Sequence, residues 1–123
     1  MKRMFLALAA VASAAVVGAL ALAVPGSAAV PKLVATVGPG ETITLRTASG
    51  AAVRTLRAGT YTVTVRDRSD EHNFHIVGPG VNKATGVEAV GTSTWKVKIR
   101  RGGAYRFVCD PHADDMRGAF RAR

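Results

Sequence analysis

Short turns interrupt the chain from Val30 onward at intervals of about ten residues, and this punctuation constrains the fold more than any other feature of the sequence. No stretch between the turns keeps the 3.6-residue apolar period of an amphipathic helix. The pattern therefore predicts an all-β Greek-key β-sandwich of about seven to eight strands. The turns that define it are Gly38-Pro39-Gly40, Ser49-Gly50, Ala58-Gly59, Gly78-Pro79-Gly80 and Gly102-Gly103.

Alternation of apolar and polar residues locates the strands. In the clearest one, Tyr61, Val63 and Val65 share one face while polar residues occupy the other, as in a strand with one buried side. A second predicted strand shows the same alternation, with Trp95, Val97 and Ile99 on its apolar face. The remaining predicted strands are Leu33–Val37, Thr42–Thr47, Ala52–Leu56, Asn73–Val77, Tyr105–Cys109 and Ala119–Arg121.

The N-terminus reads as an export signal, which divides the chain into a signal peptide at 1–29 and one small domain at 30–123. Lys2 and Arg3 precede an uncharged run from Met4 to Val24, and small residues up to Ala29 form a cleavage-like site. We therefore expect a cleaved, exported protein that works outside the cytoplasm, whether secreted, periplasmic or on the cell surface. The alternative is an uncleaved membrane anchor, because the apolar run is long enough to span a bilayer.

The net charge of +9 arises from 17 Lys and Arg against 8 Asp and Glu. The basic residues are scattered along the strands, whereas a nucleic-acid site needs clustered charge, so we expect no nucleic-acid partner. The size of the domain excludes a multidomain enzyme, and we expect a monomer.

The residues able to do chemistry are concentrated in one part of the chain. All three histidines, the single cysteine and the only methionine beyond the predicted signal lie between positions 72 and 116. Cys109, His112 and Met116 fall on one short turn after a strand, and a thiolate, an imidazole and a thioether together suit copper. Each residue alone has a structural alternative, since a lone buried Cys is commonly a small hydrophobe, and Zn(II) accepts Cys and His equally well.

The segment Cys109-Asp110-Pro111-His112, with Met116 four residues on, resembles the ligand loop of the cupredoxins, the small blue copper proteins such as plastocyanin and amicyanin. His72-Asn73 is similar to the His-Asn that opens their other ligand segment. The resemblance implies one type 1 copper ion bound by His72, Cys109 and His112, with the Met116 sulfur as a longer axial contact. It implies for Asn73 a bracing role beside the cysteine loop, which would hold the ligand geometry.

Two ligand assignments stay open. Three residues separate His112 from Met116, a spacing that differs from those of plastocyanin and amicyanin, so a carboxylate at Asp114 or Asp115 is an alternative axial ligand. The alternation of a regular strand places His72 and His75 on opposite faces, so only one of them can reach the metal. The His-Asn match favours His72, and His75 is the alternative if the strand bulges.

The leading functional hypothesis is an exported electron carrier and not an enzyme, because such a site leaves no open position for substrate. The resemblance implies that His112 is the electron port, and the basic surface favours a redox partner with an acidic docking surface. The alternatives are a copper-binding module for sequestration or delivery, a metal-free β-sandwich surface domain, and a Cys-His hydrolase in which a histidine activates Cys109.

Overall fold

The computed structural model describes residues 10–16, 18 and 29–123 of the chain. Most of the predicted signal peptide at 1–29 lies outside the described residues. Within the described part, no helix is long and apolar enough to cross a membrane. The elements are β1 (Lys32–Val37), β2 (Ile43–Thr47), β3 (Thr55–Leu56), β4 (Gly59–Asp67), β5 (His75–Gly78), β6 (Val81–Ala84), β7 (Gly91–Ile99), β8 (Ala104–Val108), one turn of 3₁₀ helix (Asp110–His112) and β9 (Arg117–Ala122).

The strands form two mixed sheets. One has the order β2-β1-β4-β7 and the other β3-β9-β8-β5-β6. The pairs β1–β4 and β3–β9 are parallel, and the remaining pairs are antiparallel. The prediction of an all-β sandwich is confirmed, with nine strands in the described residues instead of seven or eight. The sequence did not reveal β6, because Asn82 to Ala84 are all exposed and carry no apolar alternation.

Residues of both sheets contribute to one hydrophobic core. In β4, Tyr61, Val63 and Val65 are buried and their neighbours are more exposed, as the alternation predicted. Every residue of the core lies between Leu33 and Ala122. All strand pairs found among the described residues therefore lie within the segment 30–123.

Two stacked aromatic rings belong to this core. The rings of Phe74 and Phe107 stack with centroids 5.6 Å apart. Gly118 lies opposite Phe107 in the β8–β9 ladder, and a Cβ at Gly118 would fall 2.2 Å from the Phe107 ring. Glycine at this position therefore leaves the space that the ring fills.

Strand direction sorts the loops to the two ends of the sandwich. The loops 38–42, 68–74, 85–90 and 109–116 lie at one end, here called the Cys109 end. The loops 48–54, 57–58, 79–80 and 100–103 lie at the other, here called the opposite end. Residues that are distant in sequence thus meet at the Cys109 end.

Candidate metal centre

Three side chains meet at the Cys109 end. The Nδ1 atoms of His72 and His112 are 3.0 Å apart, and the Cys109 Sγ lies 3.6 Å from each of them. The two imidazole rings meet edge to face, with centroids 4.6 Å apart. Among the described residues this is the one group of three or more His, Cys, Asp or Glu side chains that could hold a metal ion.

The spacing of the three atoms fits a metal ion. A point equidistant from them lies roughly 2.0 Å from each, which matches metal–nitrogen bonds of about 2.0–2.1 Å and approaches metal–sulfur bonds of about 2.3 Å. A thiolate with two imidazoles is a donor set that copper and zinc both accept. The residues present therefore fit one soft or borderline metal ion.

A hydrogen-bonded turn positions Cys109 and His112. β8 ends at Val108, one residue before the predicted strand end, and Cys109 begins the turn with an extended backbone. The His112 N–H donates to the Cys109 carbonyl at 3.0 Å, and Pro111 presets the intervening 3₁₀ turn. The proximity of Cys109 and His112 in space is thus set by hydrogen bonding within this short turn.

The same turn includes Met116, which is 1% exposed. Its N–H donates to the His112 carbonyl at 2.8 Å, and its carbonyl accepts from the Cys109 N–H at 3.0 Å. Backbone hydrogen bonds therefore join Met116 to both Cys109 and His112. Asp114 and Asp115, the alternative axial residues, are exposed and do not join the cluster.

The loop 68–74 brings His72 to the cysteine. The predicted strand over Asn73–Val77 begins only at His75, because Phe74 bonds to Thr85 on another loop: its N–H donates to Thr85 Oγ1 at 2.9 Å and its carbonyl accepts from the Thr85 N–H at 3.0 Å. The Thr85 hydroxyl donates in turn to the carboxylate of Asp67, which is buried, at 2.7 Å. These bonds hold the irregular backbone that places His72 at the cluster.

Asn73 joins the two segments that carry the cluster. Its Oδ1 accepts from the Asp110 N–H at 2.7 Å, and its Nδ2 donates to the Asp110 carboxylate at 2.7 Å and to the Thr85 carbonyl at 3.2 Å. Asn73 is 2% exposed, so water has little access to its amide, whereas the Asp110 side chain is 48% exposed. The structure thus places Asn73 against the cysteine loop.

His75 lies outside the cluster. Its Nδ1 is 2.8 Å from the Asp110 carboxylate and its Nε2 is 2.6 Å from Asn82 Oδ1. Burial opposes the charged form of His75, but the hydrogen bonds to Asp110 and Asn82 outweigh it and raise the pKa of His75 above its ordinary value. Burial likewise opposes ionisation of Asp110, but the hydrogen bonds from His75 and Asn73 lower the pKa of that carboxyl.

Four residues that hydrogen-bond around the cluster were not predicted from the sequence. They are Asp67, Asn82, Thr85 and Asp110. Asp110 stands beside Cys109, but its partners Asn73 and His75 lie on another loop and strand. Asp67 and Thr85 carry no local motif, and only the fold brings them together. No signal in the sequence identifies them.

Similarity to solved structures agrees with this architecture. The Met148Gln mutant of rusticyanin superposes on the chain with a TM-score of 0.55 and 22% sequence identity, covering 75% of this chain and 76% of that one. The chain has a cupredoxin-like fold. The match to rusticyanin from Thiobacillus ferrooxidans has a TM-score of 0.51 and 24% identity, over 75% of this chain and 76% of that chain.

A chain of a heme-copper terminal oxidase dimer also shares the fold, with a TM-score of 0.51 and 17% identity over 75% of this chain and 63% of that one. No protein-family model matches the sequence, and neither does any curated protein. These similarities concern the fold, and the cluster of His72, Cys109 and His112 is a property of this chain itself.

The charged side chains are divided between the two ends. The loops of the Cys109 end contain seven exposed carboxylates and one arginine, Arg68. The loops of the opposite end contain arginines but no Asp or Glu. The loops around the cluster are therefore acidic, although the exposed Arg66 and Arg117 lie on the adjoining ends of β4 and β9. The seven carboxylates are Glu41, Asp70, Glu71, Glu88, Asp110, Asp114 and Asp115.

Proposed function

We propose that the protein is an exported blue copper protein that binds one copper ion and shuttles single electrons between redox partners. The observation that carries this proposal is the triangle of two histidine Nδ1 atoms and one Cys109 Sγ, with edges of 3.0 and 3.6 Å. His72, Cys109 and His112 would hold the copper ion, and the buried Met116 would supply a weaker fourth contact. Bound copper supplies one-electron chemistry, which none of these side chains offers reversibly by itself.

The chain contributes a rigid site. The Asn73–Asp110 bonds and the turn from Cys109 to Met116 hold both ligand segments through contacts within the protein itself. A site that does not rearrange when its metal changes oxidation state keeps the barrier to electron transfer low. Buried hydrogen bonds to ligand-bearing segments also orient the ligands and tune the metal.

His112 is the route by which electrons would leave. Cys109 is fully buried and His72 is 4% exposed, whereas His112 is half-buried between the exposed residues Pro111 and Ala113. A site reached only through one imidazole suits electron transfer better than substrate turnover, so we propose that the protein is not an enzyme.

The exported location is part of the proposal and rests on the signal-like sequence up to Ala29. The expected redox partner with an acidic docking surface would be repelled at the Cys109 end by its seven carboxylates. Close to His112, we therefore propose a partner that presents basic groups.

The experiment is a titration of the metal-free 30–123 segment with Cu(II), followed by visible absorption, electron paramagnetic resonance and voltammetry. We expect an intense thiolate-to-copper band with narrow hyperfine splitting, its loss in Cys109→Ser, and a reversible one-electron wave. A normal Cu(II) signal that survives Cys109→Ser would exclude the proposed site. A blue site without reversible cycling would indicate sequestration or delivery, and preferential binding of Zn(II) would exclude a redox role.

A further inference from the structure

The opposite end of the sandwich is a basic surface. Six exposed arginines lie there in its loops or on the adjoining ends of strands. The only ion pair among the described residues is His75–Asp110, at the Cys109 end, so no carboxylate neutralises any of the six. They are Arg54, Arg57, Arg100, Arg101, Arg121 and Arg123.

The backbone that carries these arginines is fixed. The hydroxyl of the buried Tyr105 accepts from the Arg100 N–H at 2.8 Å and donates to the Pro79 carbonyl at 3.2 Å, which joins two loops of this end. The Arg123 N–H donates to the Leu56 carbonyl at 2.8 Å, and its carbonyl accepts from the Ala58 N–H at 2.8 Å. The backbone that carries the positive charges is therefore preorganised and loses little freedom on binding.

The chain enters the sandwich at this same end. Pro31 precedes β1, and its carbonyl accepts from the Thr62 N–H, near the start of β4. In sequence, only residues 25–29 separate the uncharged run Met4–Val24 from the described domain. In the alternative in which this run is an uncleaved anchor, the bilayer would be tethered at the end that carries the arginines. Clustered Lys and Arg are in either case attracted to anionic lipids.

We propose that the opposite end of the sandwich docks on the surface of an anionic lipid bilayer. The arginines attract such a surface, and the seven carboxylates of the Cys109 end are repelled by it, so the two charge groups favour one orientation. β4 runs between the two ends with nine residues, about 30 Å at 3.3 Å per residue. The His72–Cys109–His112 cluster would then lie beyond the Debye length of about 8 Å and face away from the membrane.

Vesicle binding of the 30–123 segment tests this docking without any metal. We expect co-sedimentation with phosphatidylglycerol-containing vesicles at low ionic strength, none with pure phosphatidylcholine vesicles, and release near 1 M salt, where the Debye length is about 3 Å. The triple variant Arg57→Gln/Arg100→Gln/Arg101→Gln is expected to lower the partition coefficient on the order of 100-fold.

The matched control Arg66→Gln/Arg68→Gln/Lys83→Gln removes the same charge from other exposed positions nearer the Cys109 end. We expect less than about a threefold change for this control, with both variants retaining the wild-type circular dichroism. Equal losses in the two variants would show that net charge alone binds the vesicles and would overturn the proposal. Binding to neutral vesicles, or to soluble dextran sulfate but not to anionic vesicles, would also overturn it. Because no copper is present, these outcomes are independent of the proposed electron-transfer function.

Discussion

The side chain of Asn73 holds Asp110 through two hydrogen bonds of 2.7 Å, one from the Asp110 backbone N–H and one to its carboxylate. Asn73 follows His72 and Asp110 follows Cys109 in the chain, so this one side chain joins the two segments on which the proposed ligands lie. The pair is therefore central to both the stability of the Cys109 end and the geometry of the cluster.

Replacing Asn73 with Ala should destabilise the protein by about 2 kcal/mol, because the substitution removes three hydrogen bonds of a buried amide, two with Asp110 and one to the Thr85 carbonyl, and leaves the Asp110 N–H without its partner. Urea unfolding of the metal-free protein measures the loss. Asn82→Ala is the control, since Asn82 is exposed and, among the described residues, its side chain bonds only to His75; we expect it to cost less than about 1 kcal/mol. Equal losses would contradict a special role for Asn73.

Replacing His72 with Gln should lower Cu(II) affinity by at least about 100-fold, more than the loss of an outer hydrogen bond to a ligand causes. His75→Gln should retain the blue absorption band, because His75 lies outside the cluster and bonds to Asp110 and Asn82. Competition with a chelator measures both affinities. A blue band that survives in the His72 variant and disappears in the His75 variant would reverse the ligand assignment.

Replacing Met116 with Gln should lower the reduction potential of the copper-loaded protein, because an oxygen ligand favours Cu(II) more than a thioether does. Met116→Leu is the matched apolar control and should raise the potential by removing the fourth contact while preserving the buried volume. Voltammetry of the three proteins measures the order. Identical potentials would show that Met116 only fills the core, as its 1% exposure alone would allow.

The His75–Asp110 pair should make stability depend on pH. The pKa of His75 is raised above its ordinary 6.5, so its contribution is complete below pH 6.5 and is lost as pH rises through the folded-state pKa. The pKa of Asp110 is lowered from 3.8, so its contribution is present above pH 3.8 and is lost as pH falls through its folded-state pKa. The pair therefore stabilises most between these two ordinary values.

Urea unfolding of the wild type and His75→Gln measures this dependence. Their difference in unfolding free energy should be largest near pH 5.5 and smaller at pH 8.5, by less than about 1 kcal/mol because the Asp110 side chain is 48% exposed and solvent screens the pair. A difference that stays constant with pH would show that His75 stabilises only through interactions that do not depend on its charge.

Replacing Gly118 with Ala should destabilise the protein by about 2 kcal/mol, because the added Cβ would meet the Phe107 ring at 2.2 Å and force the ring out of its stack with Phe74. Gly86→Ala is the control, since its Cβ would meet only Ala89 at an ordinary 3.5 Å. Thermal unfolding measures both proteins. Similar melting temperatures for the two variants would mean that Phe107 relaxes without cost.

Local patterns in the sequence predicted much of the sandwich and one half of the candidate site. Alternation at Tyr61, Val63 and Val65 identified β4, because a strand in a half-buried sheet repeats its burial every second residue. The spacing of Cys109, His112 and Met116 predicted one short turn, since such a turn is held by bonds within the same few residues. Alternation did not predict that β5 begins only at His75, because Phe74 bonds instead to Thr85 on another loop.

The sequence by itself determined where most strands and turns form, with β6 and the start of β5 as exceptions, and which residues of the cysteine loop lie together, because these depend on neighbours in the chain. Only the tertiary structure decided that His72 lies at the cluster, that His75 bonds to Asp110, and that the seven exposed carboxylates gather at the Cys109 end while six arginines gather at the opposite end. Strand directions set these outcomes, because they bring loops that are 37 or 40 residues apart to one end of the sandwich. Residue order alone does not show that these loops are close in space, because they meet only when the two sheets pack around one core.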